Sequence, residues 1–208
     1  MNRQKKISLF IVFTLIFGVI AVFHESRVGR FIDREVYEII YASESFITTA
    51  LMLGLTQLGE VLSMIVMSLI VISILMLYKL KVHALFMILS MLTSTILIPV
   101  LKHSFDRERP SFLRLIEISG FSFPSGHAVG SSIFFGSLAT VINHTNLNNK
   151  AILLTVCASF ILLISSSRVY LGVHYPTDVI AGAVIGLAVV FGTSAILHKS
   201  LKRYKLSR

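Results

Sequence analysis

The sequence predicts an all-α, polytopic membrane protein with six transmembrane helices and an interfacial amphipathic helix between the first and the second. Three observations carry that expectation. The 208 residues are 55% hydrophobic and only 14% charged, with a mean hydropathy of +0.84, whereas a soluble domain is about 45–50% apolar and about 25% charged. Apolar runs close to the ~20 residues that span a bilayer recur along the whole length. Ionisable residues gather at the ends of those runs rather than inside them. The runs fill the chain, so a single membrane-embedded domain over 1–208 is expected, with no room for a second.

Taken in order, residues 1–6 are basic and 7–23 apolar, which resembles a signal peptide. The following His24-Glu-Ser-Arg-Val offers no small-residue cleavage site, so the segment reads as a retained first span. Residues 24–60 are the most polar region. In Phe31-Ile-Asp-Arg-Glu-Val-Tyr-Glu-Ile-Ile-Tyr, apolar residues at helical spacing are set against Asp33, Arg34, Glu35 and Glu38. That is the pattern of an amphipathic helix lying in the interface. Residues 46–58 continue with more apolar character, as a tilted or re-entrant piece, and the pattern over 31–58 fits one helix or two. The second to sixth spans are then 61–78, 83–101, 125–142, 151–167 and 179–197, followed by a basic tail.

The net charge of +9 and a pI near 9.9 are compatible with a nucleic-acid partner. On so apolar a background they point instead to basic inner loops and anionic headgroups, so the expected partners are the bilayer and a lipid, not nucleic acid. With a cytoplasmic N-terminus, six spans place eleven Lys and Arg inside, eight outside, and all ten Asp and Glu outside. Both long polar connections, 102–124 and 168–178, then face out of the cytoplasm, and the cell membrane is the expected location. The lone Cys157 lies within an apolar run and reads as a small core residue, which excludes an intramolecular disulfide and a cysteine metal cluster.

The chemistry is concentrated in those two connections. In 168–178, Arg168 offers a planar fork for a phosphate or carboxylate. Pro176 suits the first turn of a helix, which puts Asp178 in that turn, four residues after His174. A carboxylate beside an imidazole fixes its tautomer and frees the other nitrogen as nucleophile or base. Taken alone, the same residues also read as loop charges at a membrane surface. The earlier connection opens with Lys102 and reaches Arg109-Pro110, then ends in Pro124-Ser125-Gly126-His127, where a span begins. A helix N-terminus carries free N–H groups and a positive dipole end. Three cations, a helix start and two histidines form a setting for a tetrahedral oxyanion, the charge that phosphoryl transfer must stabilise.

Lys102-x6-Arg109-Pro110, Pro124-Ser-Gly-His127 and Ser167-Arg168-x5-His174-x3-Asp178 together resemble the three-part signature of the type-2 phosphatidic acid phosphatase family, in order and in spacing. Size and topology are most similar to its bacterial phosphatidylglycerophosphatase B-type group. The resemblance implies His174 as the nucleophile, forming a phosphohistidine, and Asp178 as the group that orients it. It implies His127 as the acid for the leaving alkoxide and then the base for water. Lys102, Arg109 and Arg168, with Ser125 and Gly126, would bind the phosphoryl oxygens. It implies no cofactor and no metal; His127, His174 and Asp178 could hold zinc, but a metal there would consume the nucleophile. The substrate would be a membrane lipid phosphate, with phosphatidylglycerol phosphate favoured. Undecaprenyl diphosphate in lipid-carrier recycling is the alternative.

Other residues have plainer readings. His103, Asp106 and Glu117 are expected in solvated loops, and Arg107 and Arg114 as interfacial side chains that snorkel or touch a headgroup. His24, His83, His144 and His198 flank spans and are expected at interfaces, as are Tyr170 and Tyr175. Gly182 and Gly186 make a small-xxx-small packing pair. A transporter with a cationic vestibule is the remote rival. Its charges belong near the bilayer midplane on broken helices, whereas here they sit at span ends.

Overall fold

The structure, a computed structural model, describes residues 1–41, 44–111, 114–145 and 149–203. Those residues form helices and connecting segments without a strand. In chain order the helices are α1 (Arg3–Phe23), α2 (Arg27–Tyr41), α3 (Phe46–Leu58), α4 (Val61–Leu77), α5 (Lys81–Phe105), α6 (Gly126–Asn143), α7 (Lys150–Tyr170), α8 (Pro176–Ile196) and α9 (His198–Arg203). Among the described residues, α1, α5, α7 and α8 are long and apolar enough to cross a membrane, and α3 with α4, bent by 57°, makes a fifth if the pair is one span.

α6, the expected fourth span, is the centre of the bundle and packs against α5, α7 and α8. Every residue from Ala128 to Ser137 on it is buried. A helix wrapped by other helices has no need of a lipid-like surface, so it accommodates Gly130, Ser131, Ser132, Gly136 and Ser137, which lower its hydropathy. α8 crosses it closely: a Cβ on Gly182 would meet the Ser125 carbonyl oxygen at 2.7 Å, and one on Gly186 would meet the Val129 carbonyl oxygen at 2.8 Å. The small-xxx-small pair is thus a packing device. α1 lies along α8, with Phe13 stacked on Phe191 at 5.5 Å. The outward faces of these helices carry a belt of exposed apolar side chains, including Leu15, Val22, Leu77, Ile96, Leu162 and Ile196.

The polar region between the first two apolar helices is two helices, α2 and α3. α2 turns Gly29, Asp33 and Tyr37 towards the protein, so Asp33 is not on the water-facing side with Arg34, Glu35 and Glu38. The i, i+4, i+8 row wins because Gly29 allows contact with the Phe23 and His24 carbonyls and Asp33 finds a buried cation. His24 and His83 are buried rather than interfacial: His24 stacks on Phe123 at 4.4 Å, and His83 meets His144 edge-on at 5.6 Å. Tyr170 is fully buried with its hydroxyl 2.7 Å from Thr49 Oγ1, and Cys157 is buried in the main core.

Candidate active site

Two connections, between α7 and α8 and between α5 and α6, bring the polar residues to one end of the bundle. α7 ends at Leu171 and Gly172, whose φ of 69° is the left-handed conformation that glycine adopts readily. The Val173 and His174 amides then donate back to the Arg168 carbonyl at 3.2 and 3.3 Å, which sets His174 over the end of α7. α8 starts at Pro176, as its fixed φ favours, and Asp178 Oδ2 accepts from the Tyr175 amide at 2.9 Å across the first turn. The 106–125 segment is tied down by Ser122 N to the Arg107 carbonyl (2.7 Å) and Ser125 N to the Asp178 carbonyl (3.1 Å). Phe123, packed among Phe17, His24 and Phe105, anchors it from below.

His174 and Asp178 meet as their spacing predicts. Nδ1 of His174 lies 3.5 Å from Asp178 Oδ2 and 3.3 Å from Ser122 Oγ, and the Ser122 hydroxyl donates to Asp178 Oδ2 at 2.5 Å. The other ring nitrogen, Nε2, is 3.1 Å from Arg109 Nη1. Burial, with Arg109 and Arg168 adding to it, holds the imidazole pKa down at about 4, although Asp178 opposes the shift. The ring is therefore neutral at ordinary pH, with a lone pair on Nε2 facing a guanidinium. That is the state a nitrogen nucleophile needs.

Arg107 departs from the surface role its sequence context suggested. It is buried, and its guanidinium bridges Asp178 Oδ1 at 2.5 Å and Asp33 Oδ2 at 2.7 Å. It also donates to Thr177 Oγ1 at 2.8 Å and lies 4.1 Å above the Tyr175 ring. Burial disfavours its charge, but Asp178 and Asp33 outweigh that and hold its pKa above the ordinary guanidinium value. Asp33 in turn accepts from the Thr177 amide at 2.8 Å, so α2 supplies an acid to one of the unpaired N–H groups at the start of α8.

The remaining cations complete the site. Arg109 donates from Nε to the Gly120 carbonyl and from Nη1 to the Val173 carbonyl, at 2.8 and 2.9 Å. Lys102 Nζ donates to the Phe121 carbonyl at 2.6 Å and lies within the electrostatic reach of Arg109, Asp178 and Arg168. Arg168 is almost wholly buried; Nη1 donates to Thr56 Oγ1 at 2.5 Å, and Nε has no hydrogen-bond partner among the described residues. His127, in the first turn of α6, feels Arg168, His174, Lys102 and Arg109. Its Nε2 is 3.2 Å from Glu60 Oε1 but not aligned for a hydrogen bond. Ser125 Oγ is likewise buried and unpartnered among the described residues. Gly126, beside it, borders an apolar cavity of about 440 Å³ between α4, α5 and α6. Buried donors that nothing satisfies, close to two guanidiniums and an ammonium, fit the oxygens of a bound anion.

Sequence reasoning missed Ser122, Arg107, Asp33, Glu60 and Thr56. Arg107 carried a signal, since it sits between Lys102 and Arg109 in the most cationic segment. Asp33 carried none: its partner on α8 is 144 residues away.

The pattern of the PAP2 superfamily matches residues 83–202, and that stretch holds Lys102, Arg109, Ser125, Gly126, His127, Arg168, His174 and Asp178. The chain belongs to the PAP2 superfamily. It is 31% identical over 157 residues to phosphatidylglycerophosphatase B of Bacillus subtilis, covering 74% of this chain and 77% of that one. An undecaprenyl-diphosphatase of Sulfolobus acidocaldarius is 36% identical over 87 residues, 42% of this chain and 39% of its own length. The crystal structure of a transmembrane PAP2-type phosphatidylglycerolphosphate phosphatase from Bacillus subtilis superposes with a TM-score of 0.85 at 27% identity, over 94% of this chain and 98% of that one. This PAP2 chain is accordingly a membrane-embedded phosphatase of lipid phosphates. Asp33 and Glu60, which reach the site from α2 and from the corner between α3 and α4, lie outside the matched 83–202.

Proposed function

We propose that the chain removes the phosphate of phosphatidylglycerol phosphate through a phosphohistidine on His174. His174 Nε2 attacks phosphorus while Arg109, Lys102 and Arg168, with Ser125 Oγ and the Gly126 amide, hold the non-bridging oxygens. His127 gives its proton to the leaving glycerol oxygen; it then takes one from the water that releases inorganic phosphate from His174. Asp178 accepts from Nδ1–H and stabilises the positive charge the ring acquires. Arg107, Asp33 and Ser122 hold Asp178 in place. The supporting observation is a neutral, buried His174 with Nδ1 towards Asp178 and Nε2 3.1 Å from Arg109. Fixed cations aimed at developing negative charge are the largest contribution such a site makes.

The apolar cavity behind Gly126 and Gly59 suits the lipid tails. The choice of headgroup rests on the relative named phosphatidylglycerophosphatase B. In this reading α1, α4, α5, α6, α7 and α8 are six spans, α2 lies in the interface, and the site opens outside the cytoplasm at the cell membrane, the side that the basic inner loops favour. An outward site together with the likeness to an undecaprenyl-diphosphatase favours a second reading, release of phosphate from undecaprenyl diphosphate. Purified protein offered both lipids in mixed micelles distinguishes them by released phosphate. An acid-labile, base-stable ³²P label on the wild-type chain, absent from His174→Ala, is expected on quenching. A turnover-competent His174→Ala would overturn the mechanism.

A further inference from the structure

We propose that Glu60 selects the leaving group: it favours substrates that part from phosphate as a neutral alcohol and disfavours those that part as a second phosphate. The inference rests on the assignment of His127 as the acid at the leaving-group side, and on the cavity behind Gly126 as the tail site. Glu60 stands at the tip of the bend between α3 and α4. It occupies the N-cap position of α4, yet its side chain makes no capping hydrogen bond. It is also a poor capping residue, so capping does not explain it. Instead Oε1 reaches to 3.2 Å from His127 Nε2. The residue before it must be glycine for this approach, because a Cβ on Gly59 would fall 2.5 Å from His127 Cδ2. Glu60 is also close enough to act electrostatically on Arg168.

Its neighbours in sequence, Gly59 and Val61, line the apolar cavity together with Gly126, which precedes His127. Glu60 thus adjoins both the site cations, through Arg168, and the residues that line the cavity for the tails. In this proposal the link between the reacting phosphorus and the tails runs close to it. In a phosphomonoester that link is a glycerol or other alcohol. In a diphosphate it is the inner phosphate, with its negative charge.

Two effects of Glu60 then point the same way. The carboxylate repels an anionic link while leaving a hydroxylated one free to donate to it, a form of discrimination by like charge. It also lies 3.2 Å from His127 Nε2, where it holds the ring that gives its proton to the leaving oxygen. An alkoxide leaves poorly and needs that proton, whereas a phosphate leaves well without it. Loss of the charge should thus slow the monoester and relieve the diphosphate.

Phosphatidic acid and diacylglycerol pyrophosphate test this, since they share their tails and both release inorganic phosphate. The wild-type chain is expected to prefer phosphatidic acid in kcat/KM. Glu60→Gln should lower the ratio of the two kcat/KM values by about tenfold or more, within the range a general acid contributes. Glu60→Asp should keep most of the preference. The ratio is measured on one preparation, so it does not depend on how much of a variant folds. An unchanged ratio in Glu60→Gln, with both substrates slowed alike, would overturn the inference and leave the phosphatase reading standing. A wild-type preference for the pyrophosphate would also overturn it. No release from either lipid by the wild-type chain would overturn this inference, and release from phosphatidylglycerol phosphate by the same preparation would leave the phosphatase reading standing.

Discussion

Replacing Arg107 by methionine removes the one cation between two buried carboxylates, Asp33 and Asp178. Breaking a buried pair from one side costs about 3–5 kcal/mol, because the remaining charge has lost its partner and cannot regain water. Asp33 retains the Thr177 amide and hydroxyl, and Asp178 retains Ser122 and the Tyr175 amide, so the low end of that range applies. At the roughly 2–4 °C per kcal/mol of a chain this size, about 3 kcal/mol lowers Tm by roughly 6–12 °C. The chain has a single cysteine, the buried Cys157, so a thiol-reactive dye in detergent reports unfolding directly. Turnover should fall by about tenfold or more, since Asp178 loses its hold on one oxygen. Asp33→Asn in the Arg107→Met background removes one orphaned charge and should recover part of the Tm, a non-additivity that neighbouring residues show. An Arg107→Met protein that melts within about 2 °C of wild type and turns over normally would refute the network's role.

His174→Ala and His127→Ala should each abolish nearly all turnover, with a double variant scarcely worse, as members of one pathway behave; retention of about a tenth of the activity by either would reject its role. The His174 pKa of about 4 sets the sign of the pH dependence. Its neutral form, and the stability linked to it, is fully present above the ordinary value of 6.5 and lost as pH falls through about 4. The acid limb of kcat/KM, which reports the free enzyme, should accordingly lie near pH 4, and a limb at 6.5 would contradict it. Asp178→Asn keeps the shape but loses the charge, and should lower turnover by on the order of 10²–10³ with little change in KM; the reverse pattern would reassign Asp178 to headgroup binding. Turnover is expected to withstand EDTA because Lys102, Arg109 and Arg168 supply the positive charge. Inactivation reversed by a divalent cation would show otherwise. Gly186→Val pushes a side chain against the Val129 carbonyl and should cost about 1–3 kcal/mol as a lower Tm in the Cys157 assay.

The sequence by itself determined the helical membrane class, because apolar run length and the placement of charges are local properties of the chain. It also determined the His174–Asp178 pair and the start of α8, since Pro176 and a four-residue spacing act within one turn. Order and spacing, read through their resemblance to a known family signature, marked Lys102, Arg109, His127 and Arg168 as candidate members of one site. What supports those residues was decided only by tertiary structure. Asp33 reads as one more acid on an amphipathic helix until α2 docks on the start of α8 and leaves it buried against Arg107. Arg107 reads as a surface cation for the same reason. Glu60 reads as a polar break between apolar runs until the bend after Gly59 brings it to His127. α6 fell short as a span on hydropathy because its surroundings are other helices, and burial among helices favours glycine and serine where lipid would favour leucine. Long-range contacts choose between a solvated charge and a buried one, and no periodicity within a single segment records that choice.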